Sequence, residues 1–109
     1  PYRYYYDTEK APMLDKIRQM RPEYQSTAYI QGFLAAMLFT ESAKRCLDAG
    51  KELTGKNLKT ALNSIKDFDT GGLIGVPITI KGNSIPVGRV YRADMKAQKM
   101  VAASDWIAL

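Results

Sequence analysis

The chain has 109 residues, 46% of them hydrophobic and 25% charged, with a formal net charge of +5 and no histidine. That length suits one small domain rather than two, and that balance is the ordinary globular one, which argues against disorder. The longest apolar-rich stretch, Ala28 to Phe39, is broken by Gln31 and Gly32 and falls short of the roughly 18 residues of a membrane span. The lysines and arginines are scattered over every segment without a cluster of four, so no dedicated nucleic-acid surface is expected.

Pro1-Tyr2-Arg3-Tyr4 has no start methionine and does not resemble a signal peptide, so the chain is expected to begin partway through a larger protein. Tyr2 to Tyr6 are β-favouring aromatics and predict a strand, with Tyr2, Tyr4 and Tyr6 on one face and Arg3 and Tyr5 on the other. Asp7-Thr8 offers a helix start, and Pro12 fits a first turn. Met13, Leu14, Ile17 and Met20 form an apolar stripe, and Pro22 ends that helix. The methionines Met13, Met20 and Met37 are read as core filling.

Ser26 or Thr27 can cap a second helix. Ile30, Phe33, Leu34, Met37 and Leu38 follow its buried spacing, and Gly50 is placed to stop it in the left-handed conformation. At about 22 residues it would run roughly 33 Å, and residues 28–39 are expected to be only partly covered by this chain, or covered by a second copy. Cys46 lies within the helical pattern as a small buried side chain. As the lone cysteine it can form no internal disulfide.

Thr54 caps a third helix with Leu58, Ala61, Leu62 and Ile65 on its inner face. Asp67 to Gly72 is a turn, with Gly71-Gly72 as a flexible point. Val76, Ile78 and Ile80 alternate as in a strand, with Pro77 at an edge. Gly82-Asn83-Ser84 marks a turn, and Val87 to Met95 a second strand, so that 76–95 form a hairpin or a pair of strands. Lys96 to Lys99 is another turn, and Met100 to Ile107 a last strand anchored by Trp106. This order is α+β, or a slice of an α/β domain, in one segment spanning 1–109.

Chemistry is sparse. Without histidine, and with one cysteine, a zinc site of the common type and a Ser-His-Asp or Cys-His arrangement are excluded within the chain. Asp67-Phe68-Asp69-Thr70-Gly71 lacks the spaced oxygen ligands and closing glutamate of a calcium loop. Gly71 to Gly75 lacks a Gly-Lys-Ser/Thr ending and precedes a strand, so it is no phosphate loop. No catalysis, metal or cofactor is expected.

Tyr29-Ile30-Gln31-Gly32-Phe33, then Ala35-Ala36 and Glu41-Ser42-Ala43, resembles the start of a long helix in type I periplasmic solute-binding proteins. Leu53-Thr54-Gly55-Lys56-Asn57-Leu58, with Ala61-Leu62 and Ile65, continues the likeness. Asp67-Phe68-Asp69-Thr70-Gly71-Gly72-Leu73 resembles that family's Phe-Asp-Thr-Gly-Gly turn. Pro77 to Ile80, Val90-Tyr91-Arg92 and Ser104-Asp105-Trp106-Ile107 are similar to its closing strands. The resemblance covers about residues 24–108 in order, nearest the branch for branched-chain amino acids. Asn83-Ser84-Ile85-Pro86 departs from it, standing where many relatives carry a histidine.

The resemblance implies an α/β bilobal fold whose lobes close over a ligand, with this chain as the C-terminal portion of the second lobe and its last strands crossing toward the first. It implies a periplasmic or otherwise extracytoplasmic ligand-binding protein for amino-acid transport, delivering an amino acid or organic acid to the membrane subunits of an ABC importer, with a signal peptide upstream. It points to Tyr29 and its neighbour Ala28 as ligand contacts, with Tyr4 and Tyr6 lining the cleft from the strand before. The plainer expectation for Tyr29 is packing at a helix start, and for Tyr4 and Tyr6 a half-buried strand face. A ligand-sensing regulator or receptor on the same fold and a small basic interaction module are the alternatives.

Overall fold

The computed structural model describes residues 2–109. Among the described residues three helices are followed by four short strands in two antiparallel pairs, a small mixed helix-and-sheet arrangement of the α+β kind.

Helix α1 spans Pro12–Met20, with Pro12 in its first turn and Leu14 and Ile17 buried on one face. The start expected at Asp7-Thr8 lies further on, because the Asp7 carboxylate accepts the Glu9 N–H at 2.8 Å and closes a local turn instead. Helix α2 spans Thr27–Asp48 and buries Ile30, Leu34, Ser42 and Cys46. Gly50 follows it at φ +70°, and the Lys51 N–H reaches back to the Cys46 carbonyl at 3.0 Å. Helix α3 spans Gly55–Asn63 and packs against α2. The Thr54 hydroxyl accepts the Asn57 N–H at 3.1 Å, which is the expected cap.

The strands differ more from expectation. Residues 2–6 are not a strand. The Arg3 N–H bonds the Leu73 carbonyl at 3.0 Å, and a turn closes from the Asp7 N–H to the Tyr4 carbonyl. The alternation survives, however, with Arg3 and Tyr5 buried and Tyr2, Tyr4 and Tyr6 half-buried. Residues 76–81 also form no ladder. Phe68 pairs with Ile78 and Lys81 with Ser84 as single bridges, while Ile78 and Ile80 point into the core. A strand needs a continuous neighbour, and this segment meets only isolated loop residues.

The hairpin lies later in the chain. Strand β1 (Val87–Gly88) pairs with β4 (Ile107–Ala108), and β2 (Tyr91–Asp94) with β3 (Lys99–Ala102), so one hairpin is nested inside the other pair. The single strand expected over 100–107 splits at Ser104, whose hydroxyl accepts the Val90 N–H at 2.9 Å.

The core gathers Leu14, Ile17, Ile30, Leu34, Ile65, Leu73, Ile74 and Ile78. The loop 70–74 knits it together. The buried Thr70 hydroxyl accepts the Ile74 N–H at 3.0 Å and donates to the Ile74 carbonyl at 3.1 Å. Gly71 and Gly72 adopt positive φ, +69° and +90°. A Cβ on Gly71 would fall 2.5 Å from Met13 Cβ, and one on Gly72 2.6 Å from Ala11 Cα. The expected flexible point is therefore a close-packed turn that clamps α1.

Candidate functional site

The N-terminal tyrosines build an aromatic wall. Tyr4 and Tyr6 stack at 5.4 Å between centroids, and Tyr6 stacks on Tyr24 at 6.0 Å, both nearly parallel. Tyr91 meets Tyr4 edge-on at 5.0 Å. The Tyr6 hydroxyl is spliced into β3, donating to the Met100 carbonyl at 3.0 Å and accepting the Met100 N–H at 2.7 Å. That bond pair holds the N-terminal segment against the hairpin. Burial raises the Tyr6 pKa above its ordinary value, while its bond to the Met100 backbone works in the opposite direction. The Lys99 ammonium lies 5.0 Å from the Tyr6 ring centroid.

This wall lines an open groove of about 540 Å³, with Tyr4, Tyr6, Tyr24, Met95, Lys99 and Met100 among its walls. The volume falls within the range of small-molecule sites, about 300–1,000 Å³. The lining combines flat apolar rings and methionines with one cation from Lys99 and one carboxylate from Asp94.

A second cluster lies behind it. Two guanidinium groups lie against Trp106, Arg3 at 5.5 Å and Arg89 at 5.2 Å from its ring. Glu9 bridges the two arginines, 3.5 Å from Arg3 and 2.7 Å from Arg89, and Asp7 pairs with Arg3 at 3.2 Å. Burial opposes the Arg89 charge, but the hydrogen bond and charge of Glu9 outweigh it, and the net effect raises its pKa. Arg89 Nη1, the Tyr91 hydroxyl and Trp106 Nε1 are buried without a hydrogen-bond partner among the described residues. Burial raises the Tyr91 pKa, with the adjacent Arg89 opposing it.

Of the residues singled out from the sequence, Tyr4 and Tyr6 stand together on the groove wall. Tyr29 and Ala28 do not line it. Tyr29 meets Tyr5 edge-on at 6.5 Å at the start of α2, and Ala28 is exposed beside it. Sequence reasoning missed Tyr24, Tyr91, Lys99 and Arg89. Tyr24 sits in the α1–α2 connection and the others on the C-terminal hairpins, and no local spacing links them to the N-terminal tyrosines. Among the described residues no group of three or more His, Cys, Asp or Glu is placed to hold a metal ion. No helix among the described residues is long and apolar enough to cross a membrane. Compared with models of known families, with curated proteins and with solved structures, the chain matches none.

Proposed function

We propose that the chain is the C-terminal portion of a type I extracytoplasmic solute-binding protein that captures an amino acid or related organic acid for an ABC importer. The observation that carries this reading is the tyrosine-walled groove, in which Tyr4 and Tyr6 stand on one side of an open, ligand-sized trough. A trough built this way binds weakly by itself, because a small ligand gains affinity only when most of its surface is enclosed. A second lobe closing over it by a hinge motion supplies the missing wall. The co-linear likeness over residues 24–108 supports the same family.

Thermal-shift screening of the full-length protein against amino acids and aromatic acids tests this reading. A true ligand at about 100 times its dissociation constant stabilises by roughly 2.7 kcal/mol, which raises the melting temperature by several degrees. Ala replacement of Tyr4 and Tyr6 together is expected to remove most of that rise. An unchanged melting temperature across both ligand classes would discard the reading.

A further inference from the structure

We propose, resting on the reading of the tyrosine-walled groove as a ligand site, that its substrate class is an aromatic monocarboxylate: a flat ring with a carboxylate on a short arm, stacked on Tyr24 and paired with Lys99. Both residues line the groove of about 540 Å³.

The rings call for a flat partner. Tyr4, Tyr6 and Tyr24 form one stack with Tyr6 in the middle, and each successive pair is tilted by 13°. Tyr24 ends the stack and is 62% exposed, so much of its ring stays open to a ligand. A planar group extends such a stack, whereas a branched aliphatic chain gains only burial. Met95 and Met100, also in the lining, are soft thioethers that suit the edge of a ring.

The charges call for one anionic group. Lys99 stands directly opposite Asp94 on the β2–β3 hairpin. Opposite charges so placed ordinarily stabilise each other across the strands. Here Lys99 forms no ion pair among the described residues. Its ammonium lies instead 5.0 Å from the Tyr6 centroid, which holds it against the stack without neutralising it. Asp94 is answered by the turn, since its Oδ1 accepts the N–H groups of Lys96 and Ala97 at 3.1 Å each. Lys99 is therefore the charge in the groove left for a ligand, and a single carboxylate satisfies it. A second carboxylate would be repelled by Asp94, and an added ammonium finds Asp94 already engaged.

Amide signals of the 109-residue chain are followed by 1H–15N NMR at matched ionic strength. The titrants are sodium phenylpropionate, its neutral amide, hexanoate and L-phenylalanine. Phenylpropionate is expected to shift Tyr24, Lys99 and Met100 saturably, in roughly the millimolar range. The amide and hexanoate are each expected to bind about fivefold more weakly, and L-phenylalanine no more tightly than phenylpropionate. Lys99→Met is expected to erase the preference for the acid over its amide, and Tyr24→Leu the preference for phenylpropionate over hexanoate. Each preference compares two ligands on one chain, so a small loss of stability in a variant does not disturb it. Shifts that do not saturate, an amide or hexanoate that binds as tightly as phenylpropionate, L-phenylalanine that binds more tightly, or variants that keep the parent's preferences would each overturn the proposal. If leucine raises the melting temperature of the full-length protein and phenylpropionate does not, the aromatic class is discarded and the importer reading stands. Saturable phenylpropionate binding by the chain, alongside a full-length protein indifferent to amino acids and aromatic acids, would keep the groove's preference and discard the importer reading.

Discussion

Gly75 shows how a single missing methyl group organises this molecule. A Cβ built there would fall inside the Trp106 indole. Gly75 does not have a positive φ, so the need for glycine is steric rather than conformational. Gly75→Ala must push Trp106 away from its contacts with Arg3 and Arg89. We expect a loss of about 1–3 kcal/mol, typical of overpacking, together with a red-shifted tryptophan emission, both read from denaturant unfolding. Tyr5 gives a second test. It is 3% exposed, and its hydroxyl donates to the carbonyls of Ile17 and Arg21 at the end of α1. Burial, then Tyr29 and Glu23, raise its pKa above the unfolded value, with Arg18 and Arg21 opposing. The folded state thus holds the proton more tightly than the unfolded chain does. The stability tied to Tyr5 is complete below about pH 10 and is lost as pH rises through the folded pKa. Unfolding measured from pH 8 to 11 should show that fall, and Tyr5→Phe should reduce it. The alternation that buries Arg3 and Tyr5 was legible from period two, but nothing local revealed that Arg3 bonds the loop at Gly72 and Leu73 while Tyr5 bonds the end of α1.

At the scale of elements, the helices were readable and the strands were not. Each helix carries its own instructions, such as Pro12 in the first turn of α1, Gly50 after α2 and Thr54 before α3. Thr54→Ala removes one of these and should cost about 1 kcal/mol, seen as reduced amide protection over residues 55–58. Leu34 is 1% exposed at the centre of the buried face of α2, so Leu34→Ala should cost about 2–5 kcal/mol in urea unfolding. Val76, Ile78 and Ile80 show why strands resist such reading. Their period-two burial is real, since Ile78 and Ile80 are buried, yet hydrogen bonding passes from Ile78 to Phe68 and from Ile80 to Ile65 without a ladder. A helix closes its bonds within itself, whereas a strand depends on what the rest of the chain brings alongside.

The whole molecule is elongated, 54 × 32 × 20 Å, with a Cα radius of gyration of 15.5 Å. A compact chain of this length would have a radius near 13 Å. Its accessible surface of 7047 Å² likewise exceeds the roughly 6,100 Å² typical of a folded monomer of its mass. Part of the excess lies on the outer face of α2, where Phe39 is 62% exposed and Gln31, Gly32, Ala35 and Ala36 face outward, so residues 28–39 are half-covered by this chain. Small-angle scattering of a single copy should return a radius close to 15.5 Å. A clearly larger value with doubled mass would mean that two copies pair. Phe39→Ser should then restore the single-copy value at little cost in stability, since the ring is mostly outside the core.

The sequence by itself determined the helices, the stop of α2 at Gly50 and the Thr54 cap of α3, the alternating burial of the first residues and the scarcity of catalytic groups, whereas the cap expected from Ser26 or Thr27 forms no side-chain bond. These follow from contacts within a few residues along the chain. Only the tertiary structure decided that Tyr4 and Tyr6 share a groove with Tyr24 and Lys99, that Gly71-Gly72 is clamped on α1, and that Arg3 and Arg89 share Glu9 from opposite ends of the chain. The physical reason is that burial, unpaired donors and ring stacking are properties of residues brought together in space, and their separation along the chain leaves no local period to read.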